Sequence, residues 1–306
     1  MGEFPLIQRL TKGLPGGPPV IKGVGDDCAV LESRPGRYQL FTTDMVIQGI
    51  HFEKDKIPLR RIGHKALARN ISDIAAMGGY PTYALVALSV PRNEPLRSVQ
   101  EIYTGLKACA KKADVLIVGG DTGCDRSIHV TVSLLGEVEK QNLVLRSGAR
   151  PGDSLFVTGA LGGSIRRKHY MFEPRLPESR FLARHFPVRA MIDVSDGLAQ
   201  DLAHILKASS AGCVLNSENV PLSRDARALS QGSRDRALDR ALYDGEDFEL
   251  LFTLAPRHEA RLERRWKELF RTRLTKIGTV TQKKSIIMKD QDGREKRCGL
   301  KGFRHF

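Results

Sequence analysis

The feature that most constrains this chain is a set of acidic residues placed where apolar segments end, most of them beside glycine. They are Gly25-Asp26-Asp27, Thr42-Thr43-Asp44, Ser72-Asp73, Gly119-Gly120-Asp121, Asp193-Val194-Ser195-Asp196-Gly197 and Gly245-Glu246-Asp247. One such site alone is a turn or helix-cap signal, because aspartate bonds to nearby backbone and glycine supplies unusual φ angles. The set asks for more. In Val115-Leu116-Ile117-Val118-Gly119-Gly120-Asp121 an apolar run, read as a buried strand, delivers a carboxylate to its mouth, and the glycines let a ligand approach the backbone. Carboxylates that converge repel one another unless hard cations neutralise them. Oxygen donors from Asp, Thr and Ser suit Mg²⁺, which keeps some waters and shares its other positions with phosphates.

Hydrophobic periodicity places these residues on elements. A helix is expected from Phe4 to Leu10, and strands at Cys28 to Leu31 and Tyr38 to Thr43. A long helix should start at Pro58 and run to Met77, with Ala66, Asn70, Asp73 and Met77 on one stripe. A strand (Tyr83 to Val90), a helix (Ser98 to Lys112) and strands at Val115 to Val118 and Ile128 to Leu135 follow. The turn cluster Ser147 to Asp153 divides this half from the next, giving expected domains of residues 1–146 and 147–306. In the second half we expect strands at Ser154 to Thr158, Phe248 to Leu254 and Thr275 to Val280. Helices are expected at Leu198 to Lys207 and around Trp266, and Asp292-Gly293 marks a terminal hairpin.

Several function classes are excluded. There is no Gly-x-x-x-x-Gly-Lys-Ser/Thr loop, His-Glu-x-x-His or Gly-x-Ser-x-Gly elbow, and a P-loop kinase is therefore excluded. Cys28, Cys109, Cys124, Cys213 and Cys298 form no Cys-x-x-Cys pair, and no apolar run approaches the roughly 18 residues that span a bilayer. The start lacks a basic segment followed by an apolar one, which points to a cytoplasmic protein without a membrane partner. Lys and Arg number 49 against 35 Asp and Glu, a net +14. Much of that excess lies in tail segments such as Lys283 to Arg304, where charge is a solvated face. Aromatic residues are only 6% and none interleave with a basic run, so no nucleic-acid partner is expected.

Taken in order, several blocks resemble the thiamine-monophosphate kinase family. They are Gly23 to Ala29, Thr42-Thr43-Asp44 with Gly49-Ile50-His51-Phe52, Lys65 to Gly78, Gly119-Gly120-Asp121-Thr122, Arg146 to Asp153, Ile192 to Leu198 and Gly245-Glu246-Asp247-Phe248-Glu249-Leu250. The match covers nearly the whole chain. Its commonest blocks mark the wider aminoimidazole-ribonucleotide-synthetase-like superfamily. Selenophosphate synthetases and hydrogenase-maturation dehydratases of that superfamily are set apart by the missing N-terminal Cys-plus-Lys pair and terminal cysteine. A two-domain α+β fold is implied, with the N-terminal domain pairing across a homodimer axis and the ATP site near that interface. The activity implied is direct in-line transfer of the ATP γ-phosphoryl to thiamine monophosphate.

Residue by residue, the resemblance implies Asp27, Thr42, Thr43, Asp44, Asp73, Asp121, Asp193 and Asp196 as ligands to several Mg²⁺ ions. Gly120, Asp121, Arg146 and Ser195 would contact ATP as co-substrate, and His51, Glu246 and Phe303 would contact thiamine monophosphate. Transfer would be metal-assisted, with no general acid or base. Two positions depart from the family. Asp244 stands where a glycine is usual, so that turn should be shaped differently or carry extra negative charge. Gly123 replaces a threonine, which should loosen the loop after Asp121.

Overall fold

The computed structural model describes residues 3–14 and 16–299. Its elements begin with α1 (Glu3–Leu10), β1 (Val20–Lys22), β2 (Ala29–Glu32), β3 (Arg37–Ile47), α2 (Leu59–Ala76), β4 (Tyr80–Val90), α3 (Leu96–Ala113), β5 (Leu116–Cys124) and β6 (His129–Glu139). After a crossing segment come β7 (Ser154–Thr158), α4 (Lys168–Met171), α5 (Leu176–His185), β8 (Ala190–Asp193), α6 (Leu198–Ala208), β9 (Gly212–Asn216), α7 (Arg224–Leu229) and α8 (Arg234–Tyr243). The chain continues with β10 (Leu250–Leu254), α9 (Glu259–Leu269), β11 (Leu274–Thr281), β12 (Ile286–Lys289) and β13 (Glu295–Arg297).

The strands form two sheets in an α+β arrangement. The first has the order β1-β2-β3-β6-β4-β5 and the second β13-β12-β9-β11-β7-β10-β8. Pairing is antiparallel except for β4 with β5 and β9 with β12. Period-2 alternation gives the first sheet two unlike faces. On β3, Leu40, Thr42 and Val46 turn inward while Phe41, Thr43 and Met45 are exposed; on β4, Ala84, Val86 and Leu88 turn inward while Tyr83 and Leu85 are exposed.

Helix α2 lies on the inner face of that sheet against β3 and β6, and it also touches α4, α5 and β8. Being covered from both halves, it buries polar as well as apolar positions: Lys65, Asn70 and Ser72 join Ile62, Leu67, Ile71 and Ile74. The helix stops where Gly78 takes φ +75°. Phe172 and Phe248, from the second half of the chain, stack at 3.8 Å inside the same core.

One expectation is corrected here. The apolar run at Val115 to Val118 was expected to be a buried strand with Gly119-Gly120-Asp121 at its mouth. It is instead part of a longer edge strand, β5, whose Leu116 and Val118 are exposed and which continues through Gly119, Gly120, Asp121 and Gly123 in register with β4. Gly123 therefore sits in a strand rather than a loop. Thr42-Thr43-Asp44 is likewise mid-strand, because β3 runs on to Ile47. Beyond the expected elements, β8, β9, α4, α5, α7 and α8 complete the second half, and the hairpin at Asp292-Gly293 joins β12 to β13.

Glycine sets how closely α2 meets its neighbour. A Cβ on Gly63 would overlap the Ile102 carbonyl, and one on Gly105 would overlap the Arg60 carbonyl, so α2 and α3 touch backbone to backbone. Gly105→Ala should therefore cost about 3 kcal/mol or more by overpacking. Urea unfolding measures this, and an unchanged midpoint would mean that the helices do not approach so closely.

Candidate active site

Carboxylates from three parts of the fold meet at the end of α2. Asp26 and Asp27 occupy the turn before β2, Asp73 lies in the last turn of α2 and Asp193 ends β8. One oxygen from each of Asp27, Asp73 and Asp193 lies within 4.8 Å of the others. Ser72 Oγ donates to Asp193 Oδ2 at 2.5 Å, and Thr42 Oγ1 donates to Asp73 Oδ2 at 2.5 Å. The Arg146 guanidinium donates to Asp27 Oδ1 at 2.6 Å, and its backbone N–H donates to Asp26 Oδ1 at 3.0 Å. Asp27 Oδ2 is buried without a hydrogen-bond partner. Asp44 lies beside this group and pairs with Arg69 at 3.3 Å.

Crowding and burial leave these groups reluctant to ionise. Burial, and then the neighbouring Asp27, push Asp26 up to about 6 and Asp193 up to about 7. Burial also raises Asp27, against the pull of Arg146, and burial followed by Asp44, Asp193 and Asp27 raises Asp73 well above the usual range. Such a trio binds protons where it has no cation. A second group of donors adjoins it. Oxygens or nitrogens of Asp196, Asp201 and His204 lie within 4.8 Å of one another, and Asp201 Oδ2 accepts the Asp196 N–H at 3.0 Å.

The turn holding Asp193 to Gly197 is built against the turn holding Asp244 to Phe248. Glu246 N–H donates to the Ser195 carbonyl at 2.6 Å, and Phe248 N–H donates to the Val194 carbonyl at 2.7 Å. A Cβ on Gly245 would lie 2.7 Å from the Ser195 carbonyl oxygen, so that position admits only glycine. Glu246 (φ +54°) and Phe248 (φ +49°) adopt left-handed backbone, which non-glycine residues take only where the surroundings enforce it. The result is to send neighbouring side chains opposite ways. Asp247 and Glu249 enter a buried network with Lys168 and Arg175, while Glu246 faces Lys65 at 2.7 Å. Burial opposes the charge on Glu246, but the adjacent Lys65 and Arg69 cations, with the hydrogen bond from Lys65, outweigh it and hold the carboxyl at about 2.

A cavity of about 530 Å³ opens beside these turns, lined by His51, Arg69, His169, Ser195, Asp196 and Glu246 among others. His51 Nδ1 accepts the Ile47 N–H at 3.1 Å. A larger cavity of about 680 Å³, between Lys207, Lys284, Ile286 and Arg297, holds none of the expected site residues.

Residues 25–138 match the family model described as AIR synthase related protein, N-terminal domain. Thiamine-monophosphate kinase of Rhodopirellula baltica is 37% identical over 296 residues, covering 94% of this chain and 92% of that protein. That of Bacillus subtilis is 34% identical, with 100% of both chains covered. A solved structure described as AaThiL complexed with AMPPCP and TMP superposes with a TM-score of 0.86 at 30% identity, covering 100% of this chain and 97% of that one. The chain belongs to the thiamine-monophosphate kinase family. A HypE–HypF complex, at TM-score 0.77 and 19% identity, shares the fold.

The residues expected from thiamine-monophosphate kinases divide into three sets. Asp27, Asp73 and Asp193 meet, with Thr42, Asp44 and Arg146 around them. Ser195, Asp196, His51 and Glu246 line the neighbouring cavity. The third set stands apart. The Thr43 hydroxyl turns to the outer face of the sheet, 3.2 Å from the Val132 carbonyl and 3.1 Å from Ser133 Oγ. Asp121 is exposed on β5, where its Oδ1 accepts the Thr122 N–H, and Gly120 packs so tightly that a Cβ would overlap the Val86 carbonyl. Phe303 lies outside the described residues.

Asp244, the departure from glycine, has φ −67°, which any residue adopts, and its carboxylate accepts the Gly163 N–H at 2.9 Å beside Arg240. The position therefore does not need glycine, and the extra charge is partnered. Among residues given no role from the sequence, Ser72, Lys65, Arg69, His169 and Asp201 all touch the site. Lys65 carried a signal, since its helical neighbours Ile62 and Ala68 are apolar on both sides.

Because Asp193 and Asp26 hold their protons more tightly folded than unfolded, their contribution to stability is present at low pH and is lost as pH rises through about 6 to 7. A divalent cation competes with those protons. Thermal unfolding should therefore show a larger gain from millimolar Mg²⁺ at about pH 8 than at about pH 5.5. Equal gains at both would mean that the trio does not take the ion.

Proposed function

We propose that this chain transfers the γ-phosphoryl group of ATP directly to the phosphate of thiamine monophosphate, giving thiamine diphosphate, with Mg²⁺ at the carboxylate group. The observation that carries this is the trio Asp27, Asp73 and Asp193: buried, crowded and with an oxygen left unbonded, next to a cavity with its own carboxylate, Glu246. An all-oxygen donor set of this kind fits a hard divalent ion. Bound there, Mg²⁺ would offset charge on the transferring group and on the aspartates together.

The chain's own residues would then position the substrates. On this reading Arg146, Ser195 and Gly120 serve ATP, and His51, Glu246 and Phe303 serve thiamine monophosphate. The use of ATP makes this a cytoplasmic activity, and no helix among the described residues is long and apolar enough to cross a membrane. We read residues 1–146 as the metal, nucleotide and pairing domain and 147–306 as its partner domain.

We read the protein as a homodimer because one chain cannot unite the expected ligands. Asp44 pairs with Val132, Val132 with Val86 and Val86 with Gly120, so Asp121 stands three strands away, about 14 Å at ordinary spacing. It shares the outer face with exposed Phe41, Met45, Tyr83 and Leu85. Pairing two such faces would cover that apolar surface and set Asp121 of the partner subunit against the strand that carries Thr43 and Asp44.

Incubation with ATP, Mg²⁺ and thiamine monophosphate should yield thiamine diphosphate, and excess EDTA should abolish it; product formed in EDTA would remove the metal from the mechanism. In the same assay Phe303→Ala should raise the KM for thiamine monophosphate roughly 2- to 30-fold, and an unchanged KM would detach Phe303 from the substrate. Asp121→Asn and Asp193→Asn should each be nearly inactive alone. Unfolded and refolded together they should recover about a quarter of wild-type activity, since half of the dimers are mixed and each has one intact site. No recovery would place Asp121 in its own chain's site or outside it.

A further inference from the structure

Lys65 is fully buried inside α2, and a buried ammonium has three N–H donors to satisfy. Three acceptors surround it: Glu246 Oε1 at 2.7 Å, the His51 carbonyl at 2.9 Å and His169 Nδ1 at 3.2 Å. The third assignment fixes the His169 imidazole. Were its proton on Nδ1 and directed at Glu246 Oε2, 3.5 Å away, one Lys65 N–H would be buried with no acceptor, which costs far more than a long contact returns. His169 therefore accepts at Nδ1 and keeps its proton on Nε2. Among the described residues that Nε2–H has no protein acceptor, yet the imidazole is almost wholly buried and lines the same cavity as Glu246.

We propose that His169 is a substrate-contacting residue whose Nε2–H is held toward the cavity by Lys65, so that His169 and Glu246 together read a donor–acceptor edge of the substrate. This rests on thiamine monophosphate being the substrate. Its aminopyrimidine offers such an edge: the exocyclic amine donates to Glu246, whose Oε2 is left over after Oε1 takes Lys65, and the adjacent ring nitrogen accepts from His169. Lys65 is a positioning residue. It acts on the substrate only through the two groups it holds.

Oxythiamine monophosphate, in which a carbonyl replaces the amine and the ring nitrogen carries the proton, presents the opposite pattern. The wild type should prefer thiamine monophosphate by at least about 100-fold in kcat/KM. His169→Leu should raise the KM for thiamine monophosphate about 10- to 100-fold, with kcat and the KM for ATP within about threefold. It should also shrink the preference about tenfold, because a donor-to-donor clash with the analogue is removed. Lys65→Met should shrink the preference in the same direction. A preference unchanged in His169→Leu would overturn the proposal, since general damage lowers both substrates alike.

Folding of these variants need not decide the matter. Nitrogen-15 spectra of histidine-labelled wild type, with His169 assigned by its loss in His169→Leu, should show the Nε2–H tautomer and a shift of that resonance on adding thiamine monophosphate without ATP. An Nδ1–H tautomer, a doubly protonated ring or an unmoved resonance would overturn the assignment. Wild type that binds thiamine monophosphate in this way but forms no thiamine diphosphate would overturn the functional reading and leave the contact standing.

Discussion

Everything at the centre of this molecule is arranged around a repulsion. Asp27 comes from the first half of the chain, Asp73 from the helix between the halves and Asp193 from the second half, and each brings a carboxylate to within 4.8 Å of the others. In water such groups would separate. Here α2 is clamped between the first sheet and the elements α4, α5 and β8, so separation would require pulling two cores apart. The strain is relieved in place. Protons are held above their ordinary pKa, Ser72 and Thr42 donate hydrogen bonds, and Arg146 supplies one positive charge. A group kept this way exchanges protons for a cation readily, because the cation performs the same neutralisation without a change of fold.

The rigidity that enforces the crowding comes from backbone contacts more than from side-chain volume. Gly63 and Gly105 let α2 and α3 touch, Gly245 lets one turn lie on the carbonyl of another, and Gly120 lies flat against β4. At such positions a single methyl group would displace main chain, so they transmit placement accurately from the sheets to the site. The left-handed backbone at Glu246 and Phe248 belongs to the same device. Phe248 is drawn into the first core by its stack on Phe172, and Glu246 is turned toward Lys65.

Much of this was legible in the sequence, for identifiable reasons. Helix α2 was expected from Pro58 to Met77 and spans Leu59–Ala76, because its apolar periodicity is long and proline and glycine bound it. The carboxylate blocks could be recognised because their turns need glycine at fixed offsets. The location of β5 was harder. An apolar run reads the same in a central strand and in an edge strand whose cover is another molecule, and only pairing distinguishes them. Lys65 and His169 stayed unnoticed because lysine is so seldom buried, and its partner lies 104 residues away in sequence. The extra charge at Asp244 was legible as a departure, but its harmlessness was not. That depended on Gly163 and Arg240 arriving from elsewhere in the fold.

The two sides of the site differ in how their negative charge is met, and that difference orders them. Around Asp27, Asp73 and Asp193 the carboxylates crowd one another with Arg146 as their guanidinium partner, and their raised pKa values mark a place that accepts positive charge from outside. Around Glu246 the charge is already met: Lys65 and Arg69 lie close, and the carboxyl stays ionised down to about 2. Such a carboxylate gains little from a further ion and keeps a fixed hydrogen-bonding role across the physiological pH range. On the proposed reading, a cation would be drawn to one side of the Ser195–Asp196 turn and an organic substrate with polar edges to the other. The backbone bonds from Glu246 to Ser195 and from Phe248 to Val194 hold the two at a set distance. Transfer between substrates bound on either side needs that spacing more than any reactive side chain, since in-line phosphoryl transfer is chiefly a matter of position and charge.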